Sequence, residues 1–512
     1  MPNQLFARKS LDNLVHEMAG EHRLRRALGP VALTAMGVGA IIGAGIFVLV
    51  GEAARHTAGP ALMLSFVVAG IACVFAALCY AEFASMAPVA GSAYTYAYMT
   101  LGELFAWIIG WDLVLEYAVG AATVAHGWSS YLRDLLKANN IYLPLAISGP
   151  PIKFDQGHYV ATGSLFDGLA LAVVVAITAI LVLGIRESAR FNATMVVLKL
   201  AIVLFVIAVG SWWIDPDNWH PFAPYGYSGL SFFGITILGE IGEKGKPVGM
   251  LAGASIIFFA YIGFDAISTQ AEEAKDPKRD LPIGIIASLL ICTTLYIAMA
   301  AVITGMVPYQ EIDVNAPVSA AFGRIGIDWA QKLIAVGAVA GITSVLLVMM
   351  LSQPRVLLAM ARDGLLPASF FAAIHPRFQT PWKSTIVTGI VVATMGSLLP
   401  IDILSELVNI GTLLAFAIVC AAVLIMRRTD PDAPRPFRAP LVPLVPILGI
   451  LFCLVLMFSL PWENWLRLAV WLAVGMVIYF CYGRFHSRLA LELKREIATH
   501  GVSPAGVPVD EP

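Results

Sequence analysis

The chain has 512 residues, of which 59% are hydrophobic and only 13% are charged. A soluble globular protein carries about 25% charged residues, so this composition excludes an ordinary soluble domain. The formal net charge of −2 says little, because orientation in a membrane depends on where the charges lie. We expect no nucleic-acid partner.

Long apolar runs, such as 61–81 and 165–183, predict membrane-spanning helices. Crossing a bilayer takes about 20 apolar residues, and runs without alternation indicate helices rather than a β-barrel. The third predicted span is too long for a straight crossing, so it should tilt or project. We predict twelve spans, near 31–54, 61–86, 98–132, 165–184, 190–213, 248–270, 282–307, 328–360, 383–399, 403–426, 440–460 and 464–484.

The distribution of basic residues predicts the orientation in the membrane. Lys and Arg are far more numerous in the segments that lie inside if the N-terminus is cytoplasmic. The positive-inside rule therefore predicts a multi-pass protein of the inner or plasma membrane with both termini in the cytoplasm. The long connections 133–164 and 214–247 then lie on the extracellular side, where we expect short helices. The six cysteines fall in apolar spans and are expected to be core residues, not disulfides or metal ligands.

The first span contains Gly37, Gly39, Gly43 and Gly45 within nine residues. Glycine costs about 1 kcal/mol relative to alanine in a helix, so this helix is weak; the alternative is close helix packing through small residues. The sixth span contains Phe258–Asp265, in which a glycine again lies beside an acidic residue. Paired weak points in the first and sixth spans are a sequence indicator of a transporter substrate site.

Such a pair of breaks has a defined chemistry. A break at Gly43–Gly45 frees amide N–H groups at a helix N-terminus, where they suit a carboxylate. Freed carbonyls near Ile41 and near Phe259–Ile262 suit an ammonium group. The two breaks together therefore fit an α-amino acid zwitterion, and Phe259 or Tyr261 could cover the bound molecule as a gate.

The stretches Gly39–Phe47, Phe258–Asp265 and Ala361–Pro367 resemble those of the amino acid–polyamine–organocation superfamily. The resemblance covers roughly residues 28–485 and is greatest to bacterial members of its cationic amino acid transporter family. It implies an all-α, LeuT-like fold of two inverted five-helix repeats plus two additional helices, working by alternating access. The implied organisation is an N-terminal cytoplasmic segment 1–30, a first repeat 31–213, an extracellular connection 214–247, a second repeat 248–426, two further helices in 427–485 and a cytoplasmic tail 486–512.

The resemblance also implies roles for single positions. It assigns the substrate carboxylate to the amides of Ala44 and Gly45, beside Gly43. It assigns the ammonium group to four carbonyls, those of Ile41, Phe259, Ala260 and Ile262. Ala44 replaces the Ser or Thr that family members often have, which removes a possible hydroxyl contact, and the segment 235–249 looks like an insertion.

Lys199 is a basic residue predicted to lie inside a span. It is nine residues beyond Arg190, about 13 Å along a helix at 1.5 Å per residue. A charge at that depth costs at least about 2.5 kcal/mol, and burial disfavours the charged form, so reversible protonation is a plausible role. The alternative is a lysine that snorkels to the interface. The resemblance favours proton coupling, with Gly39, Thr343 and Ser344 as candidate neighbours, and we expect the proton to be the coupling ion without a cofactor.

The buried acidic residues are candidates for the side-chain end of the substrate site. Asp112 and Glu116 are four apart on one helical face. The resemblance favours Glu116 and Asp265 as lining the substrate side chain, whereas Asp112 is expected to be structural. Met349, or Met350 if the alignment slips by one residue, should narrow this region and favour small neutral amino acids over cationic ones.

Several functions compete with proton-coupled symport. An amino acid exchanger or an arginine and lysine transporter would use the same fold. A channel would need rings of polar residues lining a pore, and a sensor would usually carry a soluble signalling domain. The sequence has no metalloprotease, nucleophile-elbow or phosphate-loop motif, so an enzyme is not expected. We expect amino acid substrate and lipid bilayer as the partners, and a monomer as the functional unit.

Overall fold

The protein is described by a computed structural model covering residues 5–9, 28–87, 92–155, 158–183, 188–232, 235–242, 246–378 and 380–492. Most of the predicted N-terminal segment, including Arg23, Arg25 and Arg26, and the tail from 493 onward lie outside these residues. Within them the protein is mostly helical. The helices of eight or more residues are α1 Pro30–Ile41, α2 Leu62–Met86, α3 Ser92–Thr100, α4 Glu103–Ala138, α5 Gly168–Leu183, α6 Ser188–Gly210, α7 Met250–Ile257, α8 Pro277–Met306, α9 Pro317–Arg324, α10 Asp328–Arg362, α11 Trp382–Leu398, α12 Ile401–Thr429, α13 Leu444–Phe458 and α14 Trp462–Ile478.

The described residues contain eight helical segments long and apolar enough to cross a membrane, and three shorter apolar helices. One of the eight runs from Gly45 through Met86, because the chain stays helical between the first and second predicted spans. Three further predicted spans fall on helices of 15 to 17 residues. The fourth span coincides with α5, the ninth with α11 and the eleventh with α13.

The longest helices form the centre of the bundle. Helix α4 packs against α10, α11 and α12, whereas α8 packs against α1 and α2. Helix α13 packs on α12 and α2. Helix α5 begins where the Asp167 side chain accepts the Ala170 amide at 3.0 Å, which is the usual arrangement of an N-cap. These contacts surround the two breaks with rigid helices.

Helix α14 is attached to α4 through tryptophans. The indoles of Trp111 and Trp471 stack with ring centroids 4.6 Å apart. Each indole N–H donates to the backbone carbonyl of the other residue, at 2.9 and 3.0 Å. Trp107 donates in the same way to the carbonyl of Gly475 at 2.9 Å. Because a buried indole needs an acceptor, these three bonds fix the register of α14 on α4.

The two long connections contain short 3₁₀-helices, and they also contain β-hairpins, which were not expected. Strands β1 Ile152–Asp155 and β2 His158–Ala161 are antiparallel, and so are β3 Leu230–Phe232 and β4 Ile235–Leu238. A third pair, β5 Glu240–Ile241 and β6 Pro247–Val248, lies in the predicted insertion. Alternating residues such as Ile235, Thr236 and Ile237 suit a strand better than a helix. The side of the bundle that carries these hairpins is called the loop face below.

The opposite side, called the terminal face, is held by Asp363. Its carboxylate accepts from Tyr94 Oη at 2.6 Å and from Lys9 Nζ at 2.9 Å. Its backbone carbonyl accepts from the Arg488 amide at 3.0 Å. Burial, and then the neighbouring Asp363, raise the pKa of Tyr94 well above its usual range. The predicted turn at residues 362–364 therefore joins both ends of the described chain to the bundle.

Candidate functional site

The first helix is interrupted at Ile42 and Gly43, so the interruption overlaps the predicted Gly43–Gly45 segment at Gly43. Helix α1 closes with the Ile42 amide on the Val38 carbonyl at 3.0 Å. At Ile42 itself the backbone is extended, with φ −71° and ψ 100°. The chain becomes helical again as a π-helix, Gly45–Leu49, in which side chains are fully buried. The first amides of a new helix have no acceptor within that helix. The N–H groups near Gly43–Gly45 stand at such a helix start and can donate to a ligand.

The second interruption follows α7. A turn of 3₁₀-helix, Phe258–Tyr261, is followed by Ile262 in extended conformation, with φ −60° and ψ 134°. Gly263 then has φ +119°, a conformation that side-chain-bearing residues rarely adopt. The predicted glycine is therefore required where the helix direction is lost, and the chain continues as a 3₁₀-helix, Asp265–Glu273.

The two interruptions touch each other through backbone. A Cβ atom added to Gly45 would overlap the Cα and Cβ of Ala260. A Cβ added to Gly263 would lie 2.9 Å from the Ala40 carbonyl oxygen. Only glycine allows these approaches, so the structure brings the predicted amides and carbonyls of both helices together.

Tyr296 of α8 joins the two breaks, and sequence reasoning did not identify it. Its hydroxyl lies 2.9 Å from the Ile41 carbonyl and 2.9 Å from the Ala260 carbonyl, so one proton is shared between two acceptors. The Phe259 carbonyl accepts from the Ile262 amide at 3.2 Å. Each carbonyl oxygen has two lone pairs, so these oxygens retain capacity for a second donor.

Lys199 of α6 is fully buried against the first break. Its ammonium group donates to the Gly39 carbonyl, to the Ile42 carbonyl at 3.0 Å and to Ser344 Oγ at 3.0 Å. Gly341 provides the space, since a Cβ there would lie 3.0 Å from the Lys199 Cβ. Three acceptors match the three protons of an ammonium group, which satisfies its hydrogen-bonding capacity in an apolar environment.

Thr343, the other predicted neighbour of Lys199, faces elsewhere. Its hydroxyl accepts from Trp128 Nε1 at 2.9 Å and donates to the Val339 carbonyl at 2.7 Å. Adjacent helical positions differ by about 100° in direction, so Thr343 and Ser344 cannot both face α6. Of the two hydroxyls named as candidate neighbours, Ser344 contacts Lys199, and Thr343 accepts from Trp128 instead.

The three acidic residues form a buried group between α4, α12 and the second break. Asp265 accepts from Tyr117 Oη at 3.0 Å and from the Gly263 amide at 3.2 Å. Among the described residues, the carboxylate oxygens of Asp112 and Glu116 make no hydrogen bond. Asp112 lies against Gly411 of α12, where an added Cβ would be 2.6 Å from its Oδ1. Asp265 is thus the carboxylate that the protein itself orients.

Met349 of α10 packs against α4 one turn beyond Glu116. A Cβ added to Gly120 would lie 3.2 Å from its Sδ and 3.5 Å from its methyl group. Residues 116 and 120 are four apart and share one helical face. Met349 therefore faces the same side of α4 as Glu116, and Met350 is fully buried elsewhere in the core.

A cavity of about 750 Å³ opens on the loop face. Val48 and Leu49 of the π-helix line it, together with Glu52, His126 and Asp402. The cavity thus reaches the helical segment that follows the first break. Among the described residues, no group of His, Cys, Asp or Glu is arranged to hold a metal ion.

The predicted insertion lies beside this cavity. Lys246 forms an ion pair with Glu406 of α12, and Asn464 Nδ2 donates to the same carboxylate at 3.5 Å. Burial lowers the pKa of Lys246, but Glu406 outweighs it and the net pKa is raised. The Gly249 amide donates to the Thr57 carbonyl at 2.8 Å. This bond attaches the start of α7 to the helical segment that follows the first break.

Comparisons of the whole chain with a family model and with single proteins agree on one family. Residues 28–485 match the family model described as amino acid permease. The chain is 47% identical over 490 residues to the branched-chain amino acid permease BcaP of Bacillus subtilis (strain 168), covering 96% of this chain and 100% of that protein. It is 44% identical over 487 residues to the methylthioribose transporter of the same organism, covering 95% and 99%. It is 40% identical over 435 residues to the vacuolar cationic amino acid transporter 4 of Arabidopsis thaliana, covering 84% and 68%.

Proposed function

The chain belongs to the amino acid permease family, and we propose that it is a secondary active transporter working by alternating access in the plasma membrane. The relatives are permeases and transporters rather than enzymes, and the family uses no cofactor. The observation that carries the proposal is the contact between two interrupted helices at Gly45 and Ala260. Such a contact brings the backbone groups of two interrupted helices to one place inside an apolar bundle.

The proposed architecture is a LeuT-like fold with twelve crossings. The eight long segments, the three shorter apolar helices and α11 support this count when the segment Gly45–Met86 is divided at residues 59–61 and its first part is joined to α1 as one crossing. We assign 31–213 and 248–426 to the two repeats, 214–247 to an extracellular connection and 427–485 to the additional helices. The termini, 1–30 and 486–512, are then cytoplasmic, so the loop face is extracellular and the terminal face is intracellular.

The proposed substrate is an amino acid held at both ends by backbone. Its carboxylate binds the amides of Gly43, Ala44 and Gly45, where the helix dipole adds to the hydrogen bonds. Its ammonium group donates to the carbonyls of Ile41, Phe259, Ala260 and Ile262. Tyr296 already occupies one lone pair of two of these oxygens, so it fixes their direction before substrate arrives.

The proposed side-chain preference is for small neutral amino acids. Met349 fills the space beside Gly120, one turn from Glu116, and a thioether there offers no partner for a guanidinium or ammonium group. Asp265 is already engaged by Tyr117 and Gly263. A branched-chain substrate, as in the name of BcaP, is the second candidate, because the two chains are 47% identical over nearly their whole lengths.

The proposed coupling ion is the proton, carried by Lys199. Its ammonium group bonds the carbonyls of Gly39 and Ile42 on both sides of the end of α1. Loss of the proton would leave the nitrogen with fewer donors than there are acceptors around it. The end of α1 would then be free to separate from α6, which links protonation to the position of the first helix.

The test is uptake into proteoliposomes that contain the purified protein and no internal substrate. An inward proton gradient should drive accumulation of the amino acids that raise the melting temperature of the protein, because a ligand of the folded state stabilises it. Uptake that needs internal amino acid would identify an exchanger. Stabilisation by arginine but not by alanine, valine or leucine would contradict the preference for neutral substrates.

A further inference from the structure

The hairpin β3–β4 has an unusual distribution of side chains. Cross-strand neighbours share a face, and the pairs Ser231–Thr236 and Phe232–Ile235 lie opposite each other. The polar pair faces inward, with Ser231 fully buried and its hydroxyl 3.2 Å from the Phe458 carbonyl. Phe232 and Ile235 face outward, and Ile235 is 73% exposed. A hairpin in water normally shows the opposite arrangement, with apolar residues inward.

The apolar face continues along the strand. Ile237 follows Ile235 by two residues, so it projects on the same side, and it is also exposed. Leu238 and Ile241 are exposed as well, but Leu238 alternates to the side of Thr236. The hairpin therefore presents Phe232, Ile235 and Ile237 as an exposed apolar face outside the helical bundle.

This surface is continuous with the outward face of α13. Leu451, Val455 and Phe458 follow one side of that helix, and the first two are exposed. The Phe458 ring packs on the Phe232 ring with centroids 4.7 Å apart. In a membrane-spanning chain, exposed apolar residues along a helix face lipid, so the hairpin extends a lipid-facing stripe.

Aromatic residues indicate the depth of the hairpin. Trp213, Trp329 and Trp462 are exposed at the loop-face ends of α6, α10 and α14. Exposed tryptophans at helix ends are typical of the boundary between lipid and water. Trp462 begins α14 only four residues after Phe458, so the hairpin lies at this boundary. A two-stranded hairpin leaves the outer edge of each strand outside its own ladder, and the hydrocarbon core has no water to satisfy such an edge, so a position at the boundary is favoured.

We propose that β3–β4 is a bilayer anchor, which inserts Phe232, Ile235 and Ile237 among the lipids at the loop-face boundary. The hairpin leads through the insertion to Lys246, which pairs with Glu406, and then to α7. The anchor thus ties the beginning of the second broken helix to the membrane plane. The remaining candidate occupants of this face are water alone and a second protein chain.

The experiment places a nitroxide label at Ile237→Cys in a Cys481→Ser background, because Cys481 is the cysteine that is exposed among those described. The full-length protein is reconstituted in phospholipid nanodiscs, and label accessibility to oxygen and to a nickel chelate is measured. Val455→Cys serves as the lipid reference. Val160→Cys serves as the water reference, since Val160 is exposed in the other hairpin and pairs with Lys153.

The proposal predicts that the oxygen-to-nickel ratio at position 237 matches that at 455 and exceeds that at 160. A ratio equal to that at 160 would overturn it, because the face would then be in water. Low accessibility to both reagents would also overturn it, since protein would cover the face. A second variant, Ile237→Lys, should lower the melting temperature in nanodiscs but not in detergent, which separates anchoring from a general folding defect.

Discussion

The ammonium group of Lys199 lies 3.0 Å from the carbonyl of Ile42, the residue at which the first helix loses its helical backbone. A helix end leaves carbonyl oxygens without intrahelical donors, and a buried oxygen of this kind costs free energy unless it is paired. Lys199 thus satisfies the break from outside the helix. Because of this pairing, a change in the protonation of Lys199 would change the hydrogen bonding at the break, where substrate is proposed to bind.

Replacing Lys199 with alanine should abolish accumulation driven by a proton gradient. The variant loses the group proposed to carry the proton, whereas the backbone groups proposed to bind substrate remain. We expect counterflow exchange of amino acid to continue at a reduced rate, measured with radiolabelled substrate in proteoliposomes. Lys332→Ala is the control, because Lys332 is exposed near the start of α10 and should leave accumulation unchanged. Accumulation by the Lys199→Ala variant at the wild-type level would show that this lysine does not couple transport.

Replacing Gly45 with alanine should remove most transport. The added methyl group would overlap backbone and side-chain atoms of Ala260, so the two broken helices would have to separate. Overpacking of this kind costs about 1–3 kcal/mol, and the shift occurs where substrate is proposed to bind. The measurement is initial uptake rate together with melting temperature. Gly29→Ala is the control, because nothing lies within 4 Å of a Cβ at that position.

A second-site change makes the Gly45 prediction sharper. Ala260→Gly removes one of the two overlapping atoms, so the double variant should recover part of the uptake lost in Gly45→Ala. Equal uptake by the single variant and the wild type would mean that the contact between the helices does not matter for transport.

Replacing Tyr296 with phenylalanine should reduce substrate affinity while the protein remains folded. The change removes one oxygen and with it the shared hydrogen bond to the Ile41 and Ala260 carbonyls. A typical hydrogen bond contributes about 1 kcal/mol net, so the loss should be several-fold in the KM for uptake. Tyr225→Phe loses a comparable bond to the Arg55 carbonyl, away from the breaks, and should keep the wild-type KM. An unchanged KM in the Tyr296 variant would contradict a positioning role.

The contrast between Gly45 and Tyr296 shows what could be predicted from the sequence. Glycine spacing identifies where a helix can break, because the preference is local and residues 43–45 carry it. The break itself, at Ile42 and Gly43, lies beside Lys199 and next to the contact of Gly45 with Ala260, and such long-range contacts are not visible in the sequence. Tyr296 could not be identified, since its acceptors are 255 and 36 residues away in sequence. Only the packing of α8 against α1 brings it to them.

Around Lys199, too, the local feature is visible in the sequence and the long-range contacts are not. A lysine inside an apolar run is visible in sequence, and its partners Gly39 and Ser344 were among those named. Which of two adjacent residues faces it depends on the rotation of α10, which periodicity did not determine. Ser344 contacts the lysine, whereas Thr343 accepts from Trp128, a half-buried indole that needs an acceptor.

Replacing Met349 with alanine should widen the range of transported amino acids. The thioether packs on Gly120 beside Glu116, so its removal should give room for longer side chains. We expect arginine and lysine to gain uptake relative to alanine, measured by competition against a labelled neutral amino acid. Met350→Ala is the matched control, because it is an equal truncation one position along α10 and should not alter selectivity. A change of selectivity in Met350→Ala instead would reassign the pocket to that residue.

Replacing Glu82 with glutamine should destabilise the protein without changing substrate selectivity. Its carboxylate accepts from Arg427 at 2.9 and 2.8 Å and from the Ala439 amide at 2.8 Å, and it lies 3.3 Å from Arg435 Nε. The Arg435 side chain is 2% exposed, so neutralising Glu82 leaves a buried cation without its counter-ion, which typically costs about 3–5 kcal/mol.

Glu311→Gln is the control, because Glu311 pairs with Arg324 at a site where both side chains are about half exposed, and exposed pairs contribute at most about 1 kcal/mol. Thermal unfolding in detergent should therefore show a large loss for the Glu82 variant and almost none for the Glu311 variant. Equal melting temperatures would mean that the Arg435 guanidinium is stabilised by its backbone carbonyl acceptors alone.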